Sequence, residues 1–190
     1  MTRTAERGRA GLLASAAAGD EMAFRRIIVD HHDDMRRVAA YVAGDHAIAD
    51  EATQAAWLIA WKKIGSVRDE ASLRPWLVSV AANEAKRVLR QQRRRAAFES
   101  VAGAAVASGT VDPATGIDAM DLYAAMARLD PDDRALLAMR YVAGFDSNEL
   151  AKATGISPSG TRSRIERALK RLRKDLSDGC HDRLRAPGGR

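Results

Sequence analysis

The chain has 190 residues, with 31 Lys and Arg against 25 Asp and Glu, for a net charge of +6. That length gives one large domain or two small ones. The single cysteine, Cys180, excludes an intrachain disulfide framework and a cysteine-rich zinc site, and no apolar run approaches the ~20 residues of a membrane span. The expectation is therefore a cytoplasmic protein without membrane insertion. Hydrophobic residues make up 46% and aromatics only 5%, so the core has to be built from Ala, Leu, Ile and Val. Alanine favours helix, apolar residues recur at helical spacing almost throughout, and no strand pattern is visible. The expected fold class is all-α. Arg supplies 25 of the 31 basic residues. Arginine suits bidentate contact with phosphate and guanine, although a GC-rich genome gives the same bias.

The first module is placed at residues 9–95. Gly19-Asp20 separates a short Ala-rich helix from a second one, and Asp20 is its expected N-cap. That helix carries Phe24, Ile27 and Ile28, and Gly44-Asp45 follows its end at Val42. The next helix sets Ala49, Ala52, Thr53, Ala56, Trp57, Ala60 and Ile64 on one core-facing stripe. Its opposite face holds Asp50, Glu51, Gln54, Leu58, Ile59 and Lys62. Large apolar groups among acids make that face a candidate protein-docking surface, with packing of Leu58 under a loop as the alternative. After a polar loop, a helix is expected to start with Ser72 as cap and Pro75 in its first turn. Trp76, Leu77, Val80, Ala81, Val88 and Leu89 point inward, and the three tryptophans 57, 61 and 76 are expected in the core. Asn83, Lys86, Arg87 and Arg90 lie on or near the other side. An amide in mid-helix beside a cationic end suits a nucleic-acid strand, with phosphates held and a base edge read.

Residues 96–118 read as a flexible acidic linker: 96–122 contains Glu99, Asp112, Asp118 and Asp121, no basic residue, and many Ala, Gly and Ser. The second module is placed at 119–176. Asp130 caps a helix with Pro131 at its first position. Gly144 ends that helix, and Asp146 with Glu149 has the spacing of a capping box. The short helix that follows stops at Gly155, and Ser157-Pro158 opens another. There Thr161, Ile165, Ala168, Leu169, Leu172 and Leu176 form one apolar stripe. Arg162, Ser163, Glu166, Arg167, Lys170, Arg171 and Lys174 lie outside it. Residues 177–190 are taken as a disordered tail.

Charge is segregated along this order. Residues 84–95 carry six basic side chains and one acid, and 162–174 carry seven and one. The remainder of the chain is net negative. Two cationic helix ends favour a polyanionic partner over two solvated faces. A short helix, a Gly-containing turn and a longer basic helix form a helix-turn-helix. Its second helix fits a major groove, where Arg reads guanine and Glu accepts from cytosine. Lys170 and Arg171, further along, suit phosphates, and Ser159 at the start is a further candidate for contact with the duplex. His31-His32 precede Asp33-Asp34, but adjacent residues diverge around a helix, so no metal, other cofactor or enzymatic activity is expected.

The matching stretches GDEMAF (19–24), ADEATQAAWLIAW (49–61), ASLRPWLVSVAANEAK (71–86) and LDPDDRALLAMRYVAGFDSNELAKATGIS (129–157), continuing into RSRIERALKRLRK, resemble the extracytoplasmic-function (ECF) group of bacterial RNA polymerase sigma factors, from Leu12 to Leu176. The resemblance implies two helical domains, sigma domains two and four, joined by the linker. It implies that the face of Glu51, Gln54 and Leu58, with Asp50 beside it, binds the clamp helices of core RNA polymerase. It places loop 65–72 and the following helix on the unpaired strand of the −10 promoter element, with Asn83 matching a base-contacting position. Lys86 and Arg87 lie beside Asn83, and Arg68, Arg74 and Arg90 extend the basic surface. Arg162, Ser163, Glu166 and Arg167 match positions that read the −35 element. An anti-sigma factor is an expected partner. Departures from the family pattern are Val67 in place of an aromatic, Leu73 in place of Phe, Ala55 and Ile59 in place of charged residues, and Pro158-Ser159-Gly160-Thr161 in place of Val-Gly-Thr-Val. Gly160 lacks the hydroxyl that relatives aim at a phosphate. From the residues, a stand-alone helix-turn-helix regulator and a sigma-like decoy for an anti-sigma factor stay open beside the sigma-factor reading.

Overall fold

The computed structural model describes residues 11–101 and 117–185, with side chains described for 11–95 and 121–177. All regular structure among them is helical: α1 (11–17), α2 (Glu21–Ala43), α3 (His46–Lys63), a 3₁₀ turn (Ile64–Ser66), α4 (Glu70–Val101), α5 (Ile117–Arg128), α6 (Pro131–Tyr141), α7 (Ser147–Thr154) and α8 (Pro158–Arg185).

The helix starts follow local capping chemistry. Asp20 accepts from the backbone N–H of Met22 at 2.8 Å and of Ala23 at 3.2 Å. Asp45 accepts from Ile48 N–H at 2.9 Å, opening α3. Each carboxylate satisfies amides that the first helical turn leaves without a partner. The start of α4 differs from expectation. Asp69, not Ser72, is the cap, accepting from Ser72 N–H at 2.8 Å. The helix therefore begins at Glu70 and Pro75 stands inside it rather than in its first turn. The carboxylate lay one turn upstream of the hydroxyl, so the helix gained a turn and the loop shrank to the residues around Val67–Asp69.

Two expected boundaries also move. The chain stays helical through Val101, six residues into the stretch read as linker. Ala96 and Ala97 favour helix, and no Gly or Pro occurs before Gly103. The last helix runs to Arg185, so 177–185 is helical rather than a disordered tail. Cys180 and Leu184 continue the four-residue spacing of Leu172 and Leu176, and Gly179 alone, costing about 1 kcal/mol, does not stop it. Residues 102–116 of the linker and 186–190 lie outside the described residues.

Helices α2, α3 and α4 pack on one another, and α5, α6 and α7 pack around α8. The first group is unusual in its small residues. Ala49, Ala52, Ala56 and Ala60 are fully buried along α3, which lets its backbone approach α2 and α4 closely. Ile27, Met35, Leu73 and Leu77 fill the remaining space, each worth roughly 1.5–3 kcal/mol of burial. In the second group Leu136, Phe145 and Leu150 are buried with Thr161, Ile165, Ala168 and Leu172 of the α8 stripe. The two groups also meet. Helix α6 packs on α2 and α4, α7 on α4, and α5 on α2. Tyr41 of α2 stacks on Tyr123 of α5, with ring centroids 5.1 Å apart and planes at 13°.

Candidate nucleic-acid interface

The helix-turn-helix is built from its punctuation. Asp130 caps α6, accepting from Asp132 N–H at 2.9 Å, with Pro131 in the first position. Gly144, at φ +76°, turns the chain after α6. The capping box forms: Asp146 accepts from Asn148 and Glu149 N–H at 2.7 and 2.8 Å, and Glu149 accepts from Asp146 N–H at 2.8 Å. The N–H groups of Glu149 and then Asn148 hold the Asp146 carboxyl below the usual carboxylate range. Gly155 ends α7 in the left-handed region at φ +71°, where a Cβ is strained. Ser157 then accepts from Gly160 N–H at 3.2 Å and starts α8.

Gly160, the departure from the family pattern, has a local cause. A Cβ there falls 2.9 Å from Ile156 Cγ2 and 3.1 Å from Ser157 Oγ. The turn is closed by the methyl of a β-branched residue, which leaves no room for a larger side chain without a shift.

With Thr161, Ile165, Ala168 and Leu172 buried, the other face of α8 is presented outward. Ser159, Arg162, Ser163, Glu166, Arg167, Lys170 and Arg171 are all exposed. Arg171 differs from the others because its guanidinium also pairs with Asp133 of α6. Arg164 Nε donates to the other oxygen of the same carboxylate at 2.6 Å. Asp133 is buried, so this double pair fixes α8 against α6. Sequence reasoning took Asp132 and Asp133 only as helix-start acids and gave Arg164 no role. Helix α5 was also missed, although Leu122, Ala125, Met126 and Leu129 have helical spacing.

The residues expected on an unpaired strand fall into two sets. Arg68, Asn83, Arg87 and Arg90 are exposed on the α4 side and the loop before it; Arg87 also pairs with Glu84 at 2.6 Å. Arg74 and Lys86 are engaged. Arg74 Nε donates to Asp34 Oδ2 at 2.7 Å and its Nη2 donates to the Ala143 carbonyl at 2.9 Å. Burial raises the Asp34 carboxyl, but Arg74 and Arg37 outweigh it and hold it below the usual range. Lys86 Nζ donates to Asp132 Oδ1 at 2.8 Å. Leu73 is fully buried, so it belongs to the core and offers no stacking surface. The tryptophans separate: Trp57 is buried and donates to His32 Nδ1 at 3.2 Å, whereas Trp61 and Trp76 are partly exposed. Trp61 packs edge-on against Phe24, with centroids 4.9 Å apart. Trp76, expected inward, lines an open groove with Ser72, Pro75 and Ser79, facing Glu149 and Lys152 of α7. Val80 is only half-buried as well.

On α3 the stripe and its opposite face are arranged as the spacing requires. Asp50, Glu51 and Gln54 are exposed, and Leu58 is 67% exposed rather than tucked under a loop. Arg36 Nε donates to Asp50 Oδ1 at 2.6 Å.

Two family models match, in order, on the two helical groups: Sigma-70 region 2 over residues 27–95 and Sigma-70 region 4 over residues 119–172. The ECF RNA polymerase sigma factor SigL of Mycobacterium tuberculosis is 31% identical over 86% of this chain and 95% of its own length. The chain belongs to the ECF group of the sigma-70 family. SigM of the same organism is 30% identical over 90% of the chain and 86% of its own length. The probable sigma factor RfaY of Xanthomonas campestris is 29% identical over 86% of the chain, which spans 43% of that longer protein. Among solved structures, the sigma factor RpoE in complex with the anti-sigma factor NepR from Bartonella quintana has a TM-score of 0.67 at 25% identity, covering 81% of this chain and 96% of that one. CnrH in complex with the cytosolic domain of CnrY shares the fold at TM-score 0.67 and 22% identity, covering 90% of this chain and 97% of that one. Among the described residues no helix is long and apolar enough to cross a membrane.

Proposed function

We propose that this ECF sigma factor directs core RNA polymerase to a two-element promoter, with residues 9–95 and 119–176 acting as separate functional domains joined across 96–118. The exposed α3 face of Asp50, Glu51, Gln54 and Leu58 binds core polymerase. The α4 side, with Asn83, Arg87, Arg90 and Arg68 and with Lys86 and Arg74 once released, captures the unpaired strand of the −10 element. The exposed face of α8 reads the −35 duplex: Arg162, Ser163, Glu166 and Arg167 meet base edges, and Ser159, Lys170 and Arg171 meet phosphates. The protein performs no catalysis of its own in this reading and works where the polymerase is, in the cytoplasm. An anti-sigma factor is its proposed regulator, since one similar solved structure is a sigma factor in complex with an anti-sigma factor and another is a complex with the cytosolic domain of a second protein.

One observation carries the reading: a region 4 helix-turn-helix with an exposed cationic face lies downstream of a region 2 match that has its own basic helix. A stand-alone helix-turn-helix regulator has no need of the latter. The division of labour follows from energetics. Opening DNA costs about 1.4 kcal/mol of stacking per step, and an extruded base held by protein offsets part of it. Fixing a second domain on the −35 duplex makes strand capture effectively intramolecular. Run-off transcription with core polymerase over genomic fragments, beginning with the DNA upstream of the protein's own coding sequence, tests it. A transcript from a defined start that needs both proteins is expected. Absence of a transcript from every fragment overturns the reading.

A further inference from the structure

The cations of α8 are not equally free. Arg167, Lys170, Arg171 and Lys174 line an open cleft of about 600 Å³ on one flank of the helix. Residues three, four and seven apart share a helix face, so like charges are crowded there. Lys170 and Lys174 are exposed. Arg167 Nε donates to the Ser163 carbonyl at 3.3 Å, within its own helix. Arg171 alone of the four is tied to another element. Its Nη2 donates to Asp133 Oδ2 of α6, while its side chain stays 57% exposed.

Asp133 can hold Arg171 because Asp133 is itself held. The carboxylate is 4% exposed, and Arg164 Nε donates to its other oxygen at 2.6 Å. Arg164 Nη2 also lies 3.8 Å from Asp130 Oδ1. Arg164 and Arg171 are two turns apart, about 10 Å of rise, and converge on one carboxylate. A guanidinium carries five N–H donors. With Nη2 on Asp133, those of Nε and Nη1 remain for an anion. Ordering a long side chain on a ligand costs rotamer freedom, unless the fold has already fixed it. The negative charge of Asp133 opposes a phosphate, but two guanidiniums offset it.

We propose that Asp133 is a positioning residue for DNA binding: anchored by Arg164, it fixes Arg171 in advance as a ligand for a phosphate of the −35 duplex. The assignment rests on the reading of α8 as the duplex-binding helix. It separates Arg171 from Lys170 in kind. Lys170 is a mobile point charge, whereas Arg171 is a fork set in place before DNA arrives. A phosphate carries no sequence information, so the gain from positioning is the same on every duplex.

The test uses the full chain as wild type, D133A, R171A and D133A/R171A. Each is titrated with two labelled duplexes, one of random sequence and one carrying the −35 element of the promoter found by run-off transcription. D133A removes both acceptor oxygens. It is expected to weaken both duplexes about fivefold, the scale of ordering one long side chain, and to leave the salt slope unchanged because no phosphate contact is deleted. In the R171A background D133A is expected to change nothing. Nitrogen relaxation at Arg171 Nε in the free protein is expected to show an ordered side chain that D133A loosens. Titrations are read below the unfolding midpoint of each variant. If D133A does not fold, D133N takes its place in the same cycle, with a smaller loss expected because one acceptor remains. An equal loss in the R171A background shows that Asp133 only braces α8 on α6 and overturns the proposal. Tighter binding by D133A does so too, since charge repulsion then outweighs positioning, as does an Arg171 side chain that is mobile in the wild type. Wild type that binds neither duplex, alone or with core polymerase, instead marks failure of the −35 reading and takes the phosphate role with it, while relaxation still reports whether Asp133 fixes Arg171.

Discussion

Asp133 is a carboxylate in the least accessible part of α6, 4% exposed at its side chain, and it receives guanidiniums from Arg164 and Arg171 one on each oxygen. Both arginines retain access to water, so removing the charge does not strand a buried cation, but the amide keeps only one acceptor oxygen, so one of the two charge-assisted hydrogen bonds is lost and the other is weakened. D133N is expected to lower stability by about 1–3 kcal/mol, read as the shift in urea midpoint at constant slope. The sequence showed that Asp132 and Asp133 stand in a first helical turn, where acids complement the helix dipole. It did not show that the two acids diverge, one meeting Lys86 of α4 and the other meeting α8. Adjacent residues on a helix point to different neighbours, and a periodic pattern names the face without naming what packs on it. Lys86 and Arg74 were expected only as cations for the −10 strand, and the carboxylate and carbonyl that they meet were not foreseen.

At the scale of elements, local chemistry was the most legible layer. Asp20, Asp130, Asp146 with Glu149, Gly155 and Ser157 all stand where the chain reverses or a helix begins, because their donors and acceptors are satisfied within three residues. Asp69 was overlooked because Ser72 offered a second plausible cap, and only the path of the preceding loop decides between them. Helix ends without such punctuation, at Val101 and Arg185, were misplaced. The Asp146 cap gives a pH signature. Its folded carboxyl lies below the unfolded value, so its contribution is complete above the ordinary carboxylate pKa of about 3.9 and is lost as pH falls through the lowered folded value. D146N keeps an acceptor for the N–H groups but cannot titrate. Acidification from about pH 5 to about pH 2 is therefore expected to lower the thermal midpoint of D146N by less than that of the wild type. Parallel curves would show that the cap carboxylate does not contribute to acid sensitivity.

At the scale of the molecule, charge is sorted onto two surfaces. The α8 surface faces water while the α4 surface is partly closed by α6. Salt dependence separates what the α8 residues do. Each phosphate contact releases a counterion, so the logarithm of affinity for the −35 duplex falls with the logarithm of salt in proportion to the number of phosphates met. Lys170 lies about two turns beyond Arg162 along the helix, outside the stretch proposed to enter the groove, and is exposed. K170A is expected to weaken every duplex similarly and reduce the salt slope by about 1. Arg162 stands at the N-terminal end of α8, where a recognition helix meets base edges. R162A is expected to cost about 1–3 kcal/mol on the preferred duplex, much less on altered sequences. Titrations of both variants against matched and mismatched duplexes over a salt series distinguish the two effects. A uniform loss in R162A with a reduced slope would move Arg162 to the phosphate backbone, and the base-reading surface would then have to begin further along, at Glu166 and Arg167.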